Sequence, residues 1–295
     1  MREFIVIDDR SRDGSIAVLE EWKKRLPIRS LRIDSVPDGV NPKKLALTAG
    51  IHEARGEVIV TTDADCVPPP RWLELMASVF DKDVGAAVGV SLWHAEGKLW
   101  GKVIALESFV TTVVSLAGVG HDRPFLSVGR NFAFRRNLFE RLGGYAKDMH
   151  IFSGDDDLLL QKISALPAIR VAAVFSAGSI VPSRGAENLW AFIRQKRRHI
   201  SSSKVYPRTA QLAYALFHLS NLVLWLSPFF VGLGGVGLLL LKFLADGFIF
   251  HQALHRCRSA ISWAAFVPWE ALFLFTHIFV GPMSFVGRVR WKTER

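Results

Sequence analysis

Residues 58–65 read Val58-Ile59-Val60-Thr61-Thr62-Asp63-Ala64-Asp65, a β-branched run that stops on two carboxylates. A short continuous run of such residues makes a strand buried on both faces. The arrangement occurs earlier too, where Phe4-Ile5-Val6-Ile7 leads straight into Asp8-Asp9-Arg10-Ser11-Arg12-Asp13. Helical patterns lie between. Ile16, Leu19, Trp22 and Leu26 follow Asp13 or Ser15 as N-cap, and a second helix covers about residues 43–55. Val84–Val90 and Ile169–Phe175 are further strand candidates. Strands alternating with helices predict an α/β domain, with a mostly parallel sheet and helices on both faces. Ligands in such sheets bind beyond the carboxyl ends of the strands, where both acidic clusters fall. A third cluster, Ser153-Gly154-Asp155-Asp156-Asp157, sets three carboxylates side by side. They repel unless cations, donors or solvent offset them.

The composition divides the chain. Half of the 295 residues are hydrophobic and the net charge is +10, which excludes intrinsic disorder but fits either a nucleic-acid binder or a membrane protein. Cys66 and Cys257 are single and far apart, which excludes a disulfide scaffold and fits a reducing compartment. Only 7 of the 37 Lys+Arg and 3 of the 27 Asp+Glu lie beyond Thr209, and Ala210–Leu241 carries no charge. As one helix that stretch would be roughly 48 Å long, against a hydrocarbon core of about 30 Å. Ser227-Pro228 and the glycines from Gly232 to Gly237 offer a break, giving spans at about 210–227 and 230–250. Ser259–Gly287, interrupted by Pro268 and Pro282, either spans or forms a re-entrant or interfacial hairpin. Lys98–Gly118 is apolar, but Lys102 and Glu107 place it against the domain or at the membrane surface. Lys242 and Asp246, four residues apart, are expected to neutralise each other.

Arg194, Lys196, Arg197, Arg198, Lys204 and Arg208 precede the first span, and Arg256 and Arg258 precede the third. The positive-inside rule puts the large domain in the cytoplasm, at the inner or plasma membrane. Arg288, Arg290, Lys292 and Arg295 would put the tail there too, which three spans do not satisfy. Anionic lipid headgroups account for this clustering, so nucleic acid is not an expected partner. Met1 is followed almost at once by a strand, with no secretory signal. The expected division is 1–207 as the α/β domain, 208–287 as the membrane region and 288–295 as a basic tail.

Asp-x-Asp at a strand end aims two carboxylates at one ligand, which suits Mg²⁺ or Mn²⁺ completed by phosphate oxygens and water. Such a cation would neutralise a departing diphosphate. A carboxylate held apart, Asp156, is placed to take a proton from an attacking hydroxyl. Each cluster alone reads equally as a helix cap or a solvated loop. Three of them in one α/β domain favour a metal–nucleotide site.

The order of motifs resembles the membrane-bound inverting glycosyltransferases of family 2, which have the GT-A fold. The matches are Asp8-Asp9-x-Ser11-x-Asp13-x-Ser15, Lys43-x-x-Ala46-Leu47, and Gly56-Glu57 leading into Thr62-Asp63-Ala64-Asp65. Gly129-x-Asn131-x-Ala133-Phe134-Arg135-Arg136, Gly143-Gly144, Gly154-Asp155-Asp156-x-x-Leu159 and Gln195-x-x-Arg198 follow. The resemblance implies a nucleotide-diphospho-sugar donor, most often a UDP-sugar. It implies Asp8 and Asp9 at the nucleoside, Lys43 near the donor, and Asp63 and Asp65 at the ribose and metal. Asp156 would be the base, with Asp155 where a Glu often stands. Gln195, Arg198, His199 and Asn131 would face the diphosphate and acceptor, Asn131 being equally a turn residue. Lys44 is expected at the surface and Cys66 as a small packed residue.

Two departures stand out. His199 replaces a Trp usual in the family, which disfavours a processive polysaccharide synthase. The family also has a strand and helix ahead of the Asp8-Asp9 strand, so a truncated start with unpaired strand edges is expected, and with it the alternative of an inactive membrane-anchored remnant. Two or three spans favour transfer of single sugars to a lipid or lipid-linked acceptor. A haloacid-dehalogenase-type phosphatase matches Asp63-x-Asp65 alone and leaves the other motifs unexplained.

Overall fold

The computed structural model describes residues 2–94, 99–257 and 261–286. In chain order the elements are β1 (Phe4–Asp9), α1 (Ser15–Lys23), β2 (Ile28–Ile33), α2 (Pro42–Glu53), β3 (Val58–Thr61) and α3 (Trp72–Ala77). There follow β4 (Val84–Gly89), β5 (Ser91–His94), α4 (Leu99–Gly120), β6 (Phe132–Arg135), α5 (Arg136–Arg141) and α6 (Asp157–Ser164). Then come β7 (Arg170–Val174), β8 (Val181–Arg184), α7 (Leu189–Ser201), α8 (Arg208–Val231) and α9 (Leu233–Cys257). Last are α10 (Phe266–Phe275) and α11 (Gly281–Phe285), joined by a π-helical turn over Thr276–Val280.

The main sheet has the order β3-β6-β4-β7. The strands expected at 58–61, 84–90 and 169–175 are all in it. The fourth, β6, runs antiparallel to both β3 and β4, so the sheet is mixed where a mostly parallel one was expected. Its four residues, Phe132-Ala133-Phe134-Arg135, follow α4 and enter between β3 and β4 in the opposite direction. Phe132 and Phe134 point to one face, packing on Leu138, Leu159 and Ile163 of α5 and α6. Ala133 faces the other way, with Met76 of α3. β5 and β8 form a separate parallel pair, as do β1 and β2. Among the described residues β1 pairs only with β2, and β3 only with β6, and Phe4 and Val6 of β1 are exposed.

Four helical stretches are long and apolar enough to cross a membrane: Leu99–Gly120, Arg208–Val231, Leu233–Cys257 and Trp263–Phe285. The first does not cross once. A single crossing would put β4 and β6 on opposite sides, and these strands are hydrogen-bonded neighbours. Instead α4 packs Val103, Leu106 and Phe109 against Phe250 of α9 and Phe266 and Trp269 of α10. Its Ser108 hydroxyl accepts from Trp93 N at 2.9 Å, and Glu107 accepts from Lys196 of α7 and from Trp269 Nε1. Glu107 is thus an anchor for three helices. α4 therefore packs both on β5 and on the apolar helices α9 and α10. Arg258 and the basic tail lie outside the described residues.

Of the positions expected to break the apolar run, Gly232 (φ 59°) is the one that does, while Pro228 sits inside α8. α8 and α9 form a close hairpin in which Ser227 Oγ donates to Gly235 O at 2.9 Å. A Cβ on Gly235 would lie 2.1 Å from Ser227 O. Lys242 does pair with Asp246 at 2.7 Å, but its deeper partner is Glu270 at 2.5 Å, which pins α9 to α10. Sequence spacing shows only the partner within one helix. Gly235→Ala is therefore expected to force the hairpin apart, lowering stability by about 1–3 kcal/mol as overpacking does. Thermal unfolding of the full chain in detergent measures it.

Candidate active site

The site grows from the start of α2. Asn41 caps that helix, its Oδ1 accepting from Lys43 N at 2.9 Å and Lys44 N at 3.3 Å, with Pro42 preset for the first turn. Asn41 also grips the segment ahead of the acidic triplet, donating from N to Met149 O and from Nδ2 to Ile151 O, both at 2.8 Å. Lys44 adds a third tie, from Nζ to Asp148 O at 2.9 Å beside the Tyr145 ring. Expected at the surface, Lys44 is fully buried, because the 145–151 segment folds over it. Burial brings its ammonium down to about 8.

Lys43 projects the other way and joins two of the predicted clusters. Its Nζ lies 2.9 Å from Asp155 Oδ2 and 3.1 Å from Asp63 Oδ1. Burial works against its charge, but Asp155, Asp63 and Asp156 outweigh that and hold the ammonium well above its ordinary range. Asp155 is the reciprocal case. Burial favours its neutral form, yet Lys43 keeps it below the usual carboxylate range.

The other two carboxylates of the triplet are held differently. Asp156 Oδ2 accepts from Gly129 N at 2.5 Å and its Oδ1 from Asp157 N at 2.8 Å. Burial, and then the negative charge of Asp155, push it up to about 6. Asp157 turns inward, accepting from Ser127 N at 2.9 Å and from the Tyr206 hydroxyl at 2.6 Å. The sharp entry depends on Gly154 (φ 72°), where a Cβ would meet Leu158 at 2.8 Å. The motif reading quoted Gly129 and Asp157 without a role and did not name Tyr206; only the fold brings the three together.

Arg198 on α7 is near enough to Asp155, Asp156 and Asp63 for their charges to oppose the burial that lowers its guanidinium. His199 beside it is exposed, with Nε2 3.1 Å from Arg198 Nη2. Gln195 lies one turn before Arg198 on the same helix and is half-buried. Asp8 and Asp9 end β1, with Asp8 3.2 Å from Arg32 and Asp9 2.9 Å from Arg10. No ion pair among the described residues ties them to Lys43, Asp63 or Asp155. Asn131 is fully buried. Its Oδ1 accepts from Trp72 Nε1, and its Nδ2 donates to Val90 O and Ser179 O, each at 2.8 Å. Its amide is thus committed to joining β4, α3 and the 177–179 turn, the scaffold behind the site.

Among the described residues no cluster of three or more His, Cys, Asp or Glu forms a closed metal cage. Asp63 is half-buried and Asp65 is exposed, and both offer only oxygen. An open pair of hard donors fits a cation that completes its shell with diphosphate oxygens and water. Cys66 donates to Asp65 at 3.6 Å, and burial together with Asp65 raises its thiol.

Residues 2–143 match the family described as glycosyl transferase family 2. A curated relative, "Probable glycosyltransferase YdaM" of Bacillus subtilis (strain 168), is 28% identical over 147 residues, or 48% of this chain. The chain spans about a third of that relative's length (35%). Among solved structures, the mannosyltransferase PcManGT from Pyrobaculum calidifontis, in complex with GDP-Man and Mn²⁺, aligns with a TM-score of 0.51. The alignment covers 92% of this chain and 77% of that one at 19% identity, a likeness of fold.

Asn131→Ala is expected to strand the Trp72 indole and two buried carbonyls. At about 1–3 kcal/mol for each unsatisfied group, the loss is about 3 kcal/mol or more. Denaturant unfolding of the full chain reads it, and a near-neutral result would return Asn131 to the list of candidate ligand contacts.

Proposed function

We propose that this chain, whose residues 2–143 match glycosyl transferase family 2, is a transferase that moves one sugar from a nucleotide-diphospho-sugar to a lipid or lipid-linked acceptor at the cytoplasmic membrane face. The observation that carries this reading is Asp156. It caps α6 beside Asp155 and Lys43, which also reaches Asp63 beyond the end of β3, and its carboxyl is pushed up to about 6, so it is ionised at neutral pH yet basic enough to accept a proton.

In the proposed reaction an acceptor hydroxyl attacks the anomeric carbon in line. The bond from that carbon to the diphosphate oxygen breaks, its electron pair leaves with the diphosphate, and the hydroxyl proton passes to Asp156. No enzyme nucleophile is needed and the configuration inverts. Asp63 and Asp65 would hold Mg²⁺ or Mn²⁺, which would offset charge on the leaving diphosphate. Lys43 and Arg198 are cations placed to meet the same oxygens, Arg198 through charge-assisted hydrogen bonds. Asp8 and Asp9 would take the nucleoside, probed by donor affinity in their alanine variants. Gln195 and His199 would face the acceptor. The Mn²⁺ and GDP-Man bound to the Pyrobaculum mannosyltransferase support a metal and a sugar-nucleotide donor.

The membrane side of the proposal rests on α8 and α9, which leave Leu212, Leu216, Phe217, Leu240, Leu244 and Phe248 exposed, an apolar surface that a lipid bilayer would cover. Basic residues of α7, ahead of α8, favour a cytoplasmic position for the domain.

Asp156→Asn is expected to keep donor binding and abolish transfer, whereas Asp65→Ala abolishes the metal-dependent part of donor binding. Isothermal titration and sugar-transfer assays on the full chain separate the two, and unchanged turnover in Asp156→Asn would sink the base assignment. The kcat profile should fall as pH drops through about 6, where Asp156 gains its proton. Lys43 lowers the Asp156 carboxyl, so in Lys43→Met the acid limb should move to higher pH.

A further inference from the structure

Asp157, the carboxylate after the proposed base, has no part in that reaction, yet it is buried and both its oxygens are engaged. One partner is the Ser127 amide and the other is the Tyr206 hydroxyl. Tyr206 is itself buried and stands two residues before α8. Its ring lies 6.4 Å from that of Tyr214 in α8, and Tyr214 meets Phe125 edge-on at 5.7 Å. Segment 125–129 is held by three more elements. Gln161 Nε2 of α6 donates to Phe125 O at 2.8 Å, Ser115 Oγ of α4 to Leu126 O at 2.5 Å, and Thr61 Oγ1 at the end of β3 to Gly129 O at 2.9 Å. The segment ends at Gly129, whose amide donates to Asp156 Oδ2. Two residues of backbone therefore join the Asp157 clamp to the donor that holds Asp156.

We propose that Tyr206 is a positioning residue for Asp156: through Asp157 it fixes the 127–129 turn, so that seating the first long apolar helix on the domain aligns the base. The proposal rests on the reading of Asp156 as base. A ring that only filled space would need no hydroxyl. Here the hydroxyl is the sole donor to Asp157 Oδ2 among the described hydrogen bonds, in a place closed to water. Removing it leaves a buried carboxylate oxygen without a partner and frees the turn to shift. The sequence offers no signal for this pairing, since 49 residues separate its members.

The test uses the full chain in nanodiscs of phosphatidylethanolamine and phosphatidylglycerol. Tyr206→Phe, Asp157→Asn and their double variant are compared with Asp156→Asn. Turnover is assayed with UDP-glucose, UDP-N-acetylglucosamine and GDP-mannose, and UDP binding and amide hydrogen exchange are measured alongside. Tyr206→Phe should lower kcat about tenfold, the effect of one hydrogen bond to a charged group, with donor KM and UDP affinity unchanged. Exchange at residues 127–130 should rise by a similar factor, and the double variant should be no worse than the weaker single one. Unchanged kcat and exchange in Tyr206→Phe, with Asp156→Asn inactive, would overturn the positioning role alone. Full turnover in Asp156→Asn would overturn the base reading and the proposal with it. Should all three donors give no turnover, unchanged exchange at 127–130 still overturns the proposal.

Discussion

The crowding of Asp155, Asp156 and Asp157 into one largely buried turn is the constraint around which the domain is arranged, and burial together with the neighbouring carboxylates pushes Asp156 and Asp157 toward their neutral forms. Two like charges about 4 Å apart repel by roughly 4 kcal/mol at an effective dielectric of 20, more than an ordinary hydrogen bond returns. The fold separates the three by giving each a different partner. Lys43 takes Asp155, the Gly129 amide takes Asp156, and Ser127 with Tyr206 takes Asp157. The partners come from α2, from the turn before β6 and from the approach to α8. Holding the triplet therefore fixes parts of the chain that are far apart in sequence.

That arrangement also differentiates the carboxylates. Asp155, beside a cation, is held below the usual carboxylate range, whereas Asp156 receives two backbone amides but is lifted toward neutrality by burial and by its charged neighbour Asp155. Pushing neighbouring titratable groups apart is how one site supplies both a fixed charge and a proton acceptor. The α2 terminus is central to it. Asn41 and Lys44 clamp the loop from beneath while Lys43 meets the triplet from above, so adjacent residues act on opposite sides of one segment.

The C-terminal half, with its long apolar helices, is coupled to this centre through few but buried contacts. Glu107 gathers α4, α7 and α10, and α7 carries Arg198 to the carboxylates. The pairing of β4 with β6 excludes a single crossing by α4, although its length and composition alone would allow one. Connectivity overrides hydropathy here, because two strands that share hydrogen bonds lie on the same side of a bilayer.

By itself the sequence determined the α/β class, the strands that end in Asp8-Asp9 and Asp63-x-Asp65, the approximate span of α2, and the apolar C-terminal region. These are local features: a buried strand, a short helix and a hydrophobic helix are written in consecutive residues. The short strands β2, β5, β6 and β8 were not legible, since four to six residues of ordinary composition become strands only when a neighbour offers its edge. Lys44 read as surface and Asn131 as either a turn or a ligand contact, because burial is decided by segments that pack over a residue from far along the chain. Only the tertiary structure decided which carboxylate meets a cation, which an amide and which a phenol. The reason is physical: three identical side chains in a row carry no sequence difference, and their chemistry is set by what the fold brings within 3 Å of each.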